Sequence, residues 1–117
     1  MIATTRMFGR NVTDWQEIEE ALATYTTRAA EKLRRQHSAA TGIAVFLLKK
    51  APIQLDATYY NRGRQVSGYT QLDNPTQSTP DLIKAVVAIG KTLYEKGEIY
   101  KKAGVILSGF VPDSALQ

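Results

Sequence analysis

Tyr100-Lys101-Lys102-Ala103-Gly104-Val105-Ile106-Leu107 is the stretch of sequence that decides the fold. It opens with two lysines, passes a glycine and ends in an apolar run rich in Val and Ile, which predicts a strand. Side chains in a strand alternate between the two faces of the sheet. We therefore predict one core face and one face that contacts an anion, with Lys101 at the entrance of the strand. The predicted core residues are Ala103, Val105 and Leu107, and the predicted outer residues are Lys102, Gly104, Ile106 and Ser108.

Length and composition predict one small soluble domain. The chain has 117 residues, a net charge of +4 and no cysteine, which excludes disulfides and thiolate metal sites and fits the cytoplasm. Its longest apolar run, Ile43 to Leu48, is six residues long, whereas a membrane helix needs roughly 20. We also find no secretory signal near Met1.

Hydrophobic periodicity predicts two amphipathic helices and four strands. The first helix begins at a cap that is either Thr13 or Asp14, since both have a capping-box partner three residues on, and runs to about Gln36. The second begins at the Thr79-Pro80-Asp81 start signal and ends at Gly97. The predicted strands with their ends are 2–10, 41–50, 59–72 and 99–111, and residues 73–78 are predicted to form a connector.

The order of these elements predicts an α+β fold of the β-α-β-β-α-β type, an open-faced sandwich. In such a fold a four-stranded sheet carries both helices on one face and leaves the other face bare. We assign residues 1–111 to this single domain and residues 112–117 to a C-terminal tail. A bare sheet face needs a polar surface or a partner.

The charge distribution indicates what that partner is. The predicted strands contain eight Lys or Arg and no Asp or Glu, while the rest of the chain holds seven bases and all 11 acids. A surface of one sign favours a nucleic-acid backbone, and glycines beside bases, at Gly63 and Gly104, would let that backbone approach. The predicted DNA-binding residues are Arg6, Lys49, Arg62, Arg64, Lys101, Lys102 and Ser108.

Two further groups of residues have competing interpretations. Tyr60 shares the parity of Arg62 and Arg64 and could stack on a base, but Tyr59 and Tyr60 are equally explained as β-formers at a sheet edge. The bases at the end of the first helix suit the helix dipole, and we interpret them as helix-stabilising in preference to ligand-binding. These bases are Lys32, Arg34 and Arg35.

The sequence argues against catalysis by this chain alone. Its aspartates are scattered singly, and it contains no Asp-x-Asp pair for two-metal chemistry. Its single histidine, His37, has no second ligand nearby and is predicted to lie at a helix end. There is no phosphate-binding or dinucleotide-binding glycine motif. We therefore predict neither catalytic residues nor a metal or cofactor in this domain.

Three strings resemble one family: Phe8-Gly9-Arg10-x-Val12-Thr13-Asp14, Arg28-Ala29-Ala30-Glu31-Lys32-Leu33-Arg34 and Tyr100-Lys101-Lys102-Ala103-Gly104-Val105. They resemble the little finger domain of Y-family translesion DNA polymerases of the UmuC type. The resemblance implies that the sheet lies in the major groove of primer-template DNA, helices outward, and that catalysis with Mg²⁺ belongs to a palm outside this chain. It also implies that Gln117 begins a sliding-clamp-binding motif of the form Gln-x-x-Leu-Phe.

The resulting hypothesis is a non-catalytic duplex-DNA-binding domain of an error-prone lesion-bypass polymerase active in DNA repair and SOS mutagenesis. The resemblance implies further partners, namely the rest of the polymerase, the clamp, a UmuD-like accessory subunit and a recombinase filament, in the bacterial cytoplasm at the nucleoid. Two alternatives stay open. One is an RNA or single-strand-binding module on the same sandwich, although the chain lacks an aromatic-rich Lys/Arg-Gly-Phe-x-Phe strand. The other is a domain that docks accessory proteins through its helices.

Overall fold

A computed structural model describes residues 1–50 and 64–116 of the chain. The predicted α+β fold and its β-α-β-β-α-β order are confirmed, with one additional short strand. The elements are β1 (Ile2–Val12), α1 (Trp15–Arg35), β2 (Ser38–Lys49), β3 (Gln65–Thr76), α2 (Thr79–Leu93), β4 (Tyr100–Ser108), β5 (Val111–Pro112) and a 3-10 turn (Asp113–Ala115).

The main sheet is antiparallel with strand order β1-β4-β2-β3. Because β4 lies between β1 and β2, α1 crosses over β4 to connect these two strands. In the same way, α2 crosses over β2 to connect β3 with β4. The two helical crossovers are therefore interleaved, and the stretch Tyr100–Ser108 ends up in the middle of the sheet.

Both helices pack on one face of the sheet, and the hydrophobic core lies between these two layers. The core residues of β4 are those that the alternation predicted, since Ala103, Val105 and Leu107 are fully buried. The other core residues include Ile43, Val45 and Leu47 of the neighbouring strand β2, Ile18, Leu22 and Leu33 of α1, and Leu82 and Val86 of α2.

The ends of α1 follow local capping chemistry. Asp14 is the N-cap, and its side chain accepts a hydrogen bond from the Gln16 backbone N–H at 3.4 Å. The structure thereby decides between the two predicted caps. Gln36 is the C-cap, and His37 follows it with a φ of 55°, the left-handed conformation that commonly ends a helix. The predicted position of His37 at a helix end is confirmed.

The second helix ends earlier than predicted. Gly97 was expected to end α2, but the helix stops at Leu93 and Tyr94 is its C-cap. Tyr94 leaves the helix because its hydroxyl donates a hydrogen bond to the Thr13 carbonyl at 2.6 Å, and its ring packs between the rings of Trp15 and Tyr100. Gly97, with φ of 94°, instead lies in the turn that leads into β4.

The predicted connector at 73–78 is partly wrong, because β3 continues to Thr76 and pairs there with Ala40. The register of β2 and β3 shifts between Ala40 and Gly42, so the strands bulge at this point. Pro75 lacks a backbone N–H but fits in β3, because β3 is an edge strand of the sheet.

The structure also continues past the predicted boundary at residue 111. In β5, Val111 pairs with Ala39 and Pro112 with Ser38, which extends the start of β2. The Asp113 backbone N–H donates a hydrogen bond to the His37 carbonyl at 2.8 Å. Residues 111–113 are therefore bonded to the start of β2 and to His37, which precedes it.

Candidate nucleic-acid interface

The face of the sheet opposite the helices is an open face, built from four rows of side chains that cross the strands. Directly paired residues lie on the same face, so the registers define each row. In the order β1, β4, β2, β3 the rows are Met7-Lys102-Leu48-Gln65, Thr5-Gly104-Phe46-Ser67 and Ala3-Ile106-Ala44-Tyr69, followed by Ser108-Gly42-Gln71 without a β1 member.

Two glycines keep the centre of the open face flat. A Cβ atom on Gly104 would lie 2.3 Å from the Phe46 ring and 2.7 Å from the Thr5 methyl group. A Cβ atom on Gly42 would lie 2.6 Å from Ser108 Oγ and 2.7 Å from the Tyr69 hydroxyl. Each glycine is therefore covered by an aromatic side chain of a neighbouring strand. The approach of a phosphate backbone to Gly104 stays a prediction, and it would require the Phe46 ring, which covers Gly104, to move aside.

The open face is nearly neutral. Its four rows contain no Asp or Glu and a single cation, Lys102, whose Nζ lies 5.9 Å from the centroid of the Phe46 ring. Tyr69 is 60% exposed and donates a hydrogen bond from its hydroxyl to Gln71 Oε1 at 2.8 Å. Met7 is similarly exposed, at 62%. The face therefore offers hydroxyls, amides, two aromatic rings and one positive charge.

Three of the predicted DNA-binding residues lie on the helix side of the sheet. Arg6 pairs with the buried Ala103 and so points to the same side as the core. Lys49 is only 8% exposed, and its Nζ lies 3.0 Å from Glu95 Oε2. The prediction that the bases share one open face is wrong, because a count over whole strands ignores the alternation of side chains.

The third of these residues is Arg64, which precedes β3 and is mostly buried. Its guanidinium donates hydrogen bonds to the Lys50 carbonyl and, at 3.4 Å, to Glu98 Oε2. It therefore links the start of β3 to the turn before β4. Direct DNA contact by Arg64 stays a prediction, and it would require these local bonds to open.

The remaining predicted residues are distributed differently. Lys102 and Ser108 lie on the open face, in agreement with the predicted alternation of β4. Lys101 donates a hydrogen bond to Asn11 Oδ1 at 3.2 Å, beside the bulge in β1. Arg62, together with Tyr59, Tyr60 and Gly63, and the clamp-motif residue Gln117 lie outside the described residues.

A positively charged site lies on the helix side of the sheet, at the edge formed by β1. A groove of about 400 Å³ runs between α1 and β1. We call it the α1–β1 groove and define it by its lining residues, which are Ala3, Thr4, Thr5, Arg6, Arg28, Glu31, Lys32 and Arg35. Arg28 is not among the binding residues predicted from the sequence, and Lys32 and Arg35 are predicted there to stabilise the end of the helix. The spacing of these three residues could have indicated a shared site, since positions 28, 32 and 35 lie on one stripe of a helix.

Two arginines of this groove affect the pKa of the buried Tyr25. Burial raises the pKa of Tyr25, and the positive charges of Arg6 and Arg28 oppose that rise. Both guanidinium groups therefore act on the same phenol although they belong to different elements. All four bases of the groove are exposed, and none of them forms an ion pair within residues 1–50 and 64–116.

The described part of the chain contains no group of three or more His, Cys, Asp or Glu side chains that could hold a metal ion. The Mg²⁺ that the resemblance implies for the catalytic core thus has no matching ligand set in these residues. Within the same residues, no helix is long and apolar enough to cross a membrane.

Comparison with known proteins identifies the family. The family described as the impB/mucB/samB family C-terminal domain matches residues 1–117. UmuC of Salmonella typhimurium is 37% identical over 99% of the chain, and SamB of the same species is 36% identical over 99%. The chain spans about a quarter of the length of these relatives, 26% in both cases.

Solved structures show the same fold at low sequence identity. The Dbh DNA polymerase in its insertion ternary complex matches 94% of the chain with a TM-score of 0.71 and 16% identity, and the match covers 28% of Dbh. The little finger domain of PolIV, solved in complex with the beta-clamp processivity factor, matches 98% of the chain with a TM-score of 0.63 and 14% identity, and the match covers 93% of that domain. The chain therefore belongs to the impB/mucB/samB family as its C-terminal domain, related to UmuC and built on the little finger fold of Y-family DNA polymerases.

Proposed function

We propose that this domain holds duplex primer-template DNA for an error-prone, lesion-bypass DNA polymerase and takes no part in the chemistry. The observation that carries the proposal is the open face, a four-strand surface without a carboxylate and without a covering element among the described residues. The likeness to UmuC and to the DNA polymerase Dbh, which was solved as a ternary complex, supports it.

The dimensions of the sheet suit the major groove. Strands lie about 4.8 Å apart, so the outer strands β1 and β3 are separated by roughly 14 Å, close to the ~12 Å width of the groove. The outer strands carry hydrogen-bonding side chains, among them Thr5, Ser67 and Gln71, which suit the two phosphate backbones. The central strands present mainly glycine and apolar side chains there, among them Phe46 and Ile106. We infer that the open face contacts duplex DNA with little preference for base sequence.

Fluorescence anisotropy with a labelled duplex, measured across a range of salt, tests this proposal. The double variant Lys102→Glu/Ser67→Glu places two negative charges on the open face, and we expect the affinity to fall by about tenfold or more. The matched control, Lys91→Glu/Thr92→Glu on the exposed side of α2, makes the same change in net charge and should change affinity by no more than about twofold. Equal losses in both variants, with native circular dichroism, would place the duplex elsewhere.

The single-strand alternative is favoured by one observation. Tyr69 is 60% exposed on the open face, in the row beside Phe46, and exposed aromatic rings on a sheet can stack on unpaired bases at about 1–3 kcal/mol per base. Competition of RNA and single-stranded DNA against the bound duplex separates the two functions. If Tyr69→Ala abolishes single-strand binding and leaves duplex binding intact, the open face is a stacking platform.

A second candidate function is docking of an accessory protein on the helices. A shallow groove of about 500 Å³ between α1 and α2 is lined by Ala23, Ile83 and Val87, with Glu19 and Glu20 at its rim. An aliphatic surface with a charged rim suits a protein partner. Val87→Glu should remove binding of a UmuD-like subunit or a recombinase filament and preserve DNA affinity.

Several further proposals rest on the family alone. The PolIV little finger was solved with a beta-clamp, and we propose clamp binding through a motif that begins at Gln117. We likewise propose that catalysis with Mg²⁺ belongs to a polymerase core outside these residues. The bacterial relatives support a role in the cytoplasm at the nucleoid, in SOS mutagenesis.

A further inference from the structure

The α1–β1 groove is distinct from the open face in position and in charge. Arg6 points to the helix side of β1, and Arg28, Lys32 and Arg35 follow one stripe of α1. Glu31 is the single carboxylate in its lining. The groove therefore combines four positive charges with one negative charge, whereas the open face holds one cation in its four rows.

The helix dipole does not explain the whole cluster. Bases in the last turn of α1 compensate the partial negative charge of the helix end, an effect that falls off within one turn. Lys32 and Arg35 lie in that last turn. Arg28 lies about two turns before the end, and Arg6 belongs to another element. Within the described residues no carboxylate is within 4.0 Å of the four bases, so their mutual repulsion is not relieved by an ion pair there.

A further observation concerns Thr4, one of the residues that line the groove. Its Oγ1 atom is buried with no hydrogen-bond partner among the described residues. A buried hydroxyl is usually hydrogen-bonded. The described residues therefore leave the Thr4 hydroxyl without a hydrogen-bond partner and the four bases without an ion-pair partner.

We propose that the α1–β1 groove binds the phosphodiester backbone of a single nucleic-acid strand, at a site separate from the duplex-binding open face. Three of its four bases are arginines, whose planar guanidinium groups bind phosphate oxygens in pairs. Arg28 and Arg35 are seven residues apart on α1, about 10.5 Å along the axis, which is enough for more than one successive phosphate.

The shape and lining of the groove favour a strand over the other polyanions. A volume of about 400 Å³ takes part of one backbone but not a double helix. An acidic protein segment would need an aromatic or aliphatic anchor pocket, and Ala3 is the only apolar side chain in the lining. The strand would run along the outer edge of β1, since β1 is the end of the sheet on that side.

The experiment is anisotropy of a labelled oligothymidylate with the whole 117-residue chain, measured across salt. The groove variant is Arg28→Glu/Lys32→Glu, and the control Lys91→Glu/Lys96→Glu makes the same charge change at two exposed lysines outside the groove. We expect the slope of log K against log salt to fall by about 2 in the groove variant, with an affinity loss of about tenfold or more, and to stay unchanged in the control. Equal slopes and affinities in the groove variant and the control would overturn the proposal.

Two further arms keep the outcome decisive. Excess polyglutamate should displace oligothymidylate only weakly, and strong displacement would overturn the proposal in favour of an acidic protein partner. If the charge-reversed variant fails to fold, the Nε–Hε resonances of Arg28 and Arg35 in the unaltered chain should shift on addition of oligothymidylate. Unmoved arginine resonances at saturation would also overturn the proposal.

The inference goes beyond the proposed function, and the two can fail separately. Failure of the duplex-holding function appears as duplex affinity that does not respond to Lys102→Glu/Ser67→Glu. Failure of the groove site appears as oligothymidylate affinity that does not respond to Arg28→Glu/Lys32→Glu. Each double variant leaves the residues of the other site in place.

Discussion

Tyr100, the first residue of β4, is fully buried where the end of α2 meets the sheet. Its hydroxyl accepts a hydrogen bond from the Glu95 backbone N–H at 2.8 Å, and its ring lies 5.7 Å from that of Tyr94. Burial raises the pKa of Tyr100 above its ordinary value of 10.0. Folding therefore favours the neutral phenol, and this contribution to stability is complete below about pH 10.

The first prediction concerns stability in alkali. As the pH rises from about 10 through the raised folded pKa, the unfolded chain loses its phenolic proton first, so the free energy of unfolding should fall. In Tyr100→Phe the free energy of unfolding should decrease less steeply with pH. Part of the decrease should remain, because the pKa of Tyr25 is also raised by burial. At neutral pH the variant should lose about 1 kcal/mol because the Glu95 N–H loses its acceptor. Urea unfolding from pH 8 upward measures both effects, and an unchanged alkaline slope would contradict the first.

The second prediction separates Lys49 from Lys102. Lys49 is buried against Glu95, so Lys49→Met should leave the salt dependence of duplex binding unchanged and alter stability by no more than about 1 kcal/mol. Lys102→Met removes the cation of the open face and should lower the slope of log K against log salt by about 1. A similar loss of slope in Lys49→Met would show that Lys49 reaches phosphate.

At this scale the sequence predicted part of the site. The alternation of β4 could be predicted because Ala103, Val105 and Leu107 share one parity, whereas the other parity holds Lys102, Gly104 and Ser108 with a single apolar residue, Ile106. Which face of the sheet carries the Lys49 side chain could not be predicted, because Lys49 follows an apolar run, Ile43 to Leu48, that occupies both parities. Arg6 stands in a strand of mixed parity, so its side depends on the pairing with β4.

Among the elements, α2 makes a close contact with α1 at Gly90. A Cβ atom at this position would lie 2.6 Å from Leu22 Cδ1 and 3.4 Å from the Trp15 ring. Leu22 is fully buried in the core, so it has little room to move aside. The glycine therefore permits α2 to approach α1, at the usual cost of about 1 kcal/mol in helix propensity.

The third prediction is a reversal of the usual effect of alanine in a helix. Gly90→Ala should destabilise the fold by about 1–3 kcal/mol, because overpacking of the core outweighs the gain in propensity. Ala88→Gly, at an exposed position of the same helix, provides the matched control and should cost about 1 kcal/mol. Urea denaturation of both variants measures the difference, and stabilisation by Gly90→Ala would show that the helices are less tightly packed at this point.

The order and type of the elements could be predicted from periodicity, but several of their ends could not. α2 ends at Leu93 because Tyr94 contacts Thr13 and Trp15. No local sequence pattern predicts these tertiary contacts. β3 continues through a stretch with turn-forming residues, Asp73 to Thr76, because β2 offers a pairing partner beyond the bulge. In both places tertiary contacts override local preference.

At the scale of the whole molecule, the interleaved crossovers separate two surfaces. They place both helices on one face of the sheet and leave the open face on the other. They also bring the last turns of α1 beside the edge strand β1, which forms the α1–β1 groove. The groove could not be predicted from the sequence, because Arg6 and Arg28 are distant in the chain and meet only in the folded domain.

Amide chemical-shift mapping of the labelled domain with duplex DNA puts the location of the DNA to a direct test. Binding to the open face predicts that the largest shifts fall on residues of its rows, among them Thr5, Ser67, Tyr69 and Lys102. The exposed side of α2, around Lys84 and Lys91, should stay unperturbed. Shifts concentrated on α2 with an unperturbed open face would contradict the proposed placement of DNA.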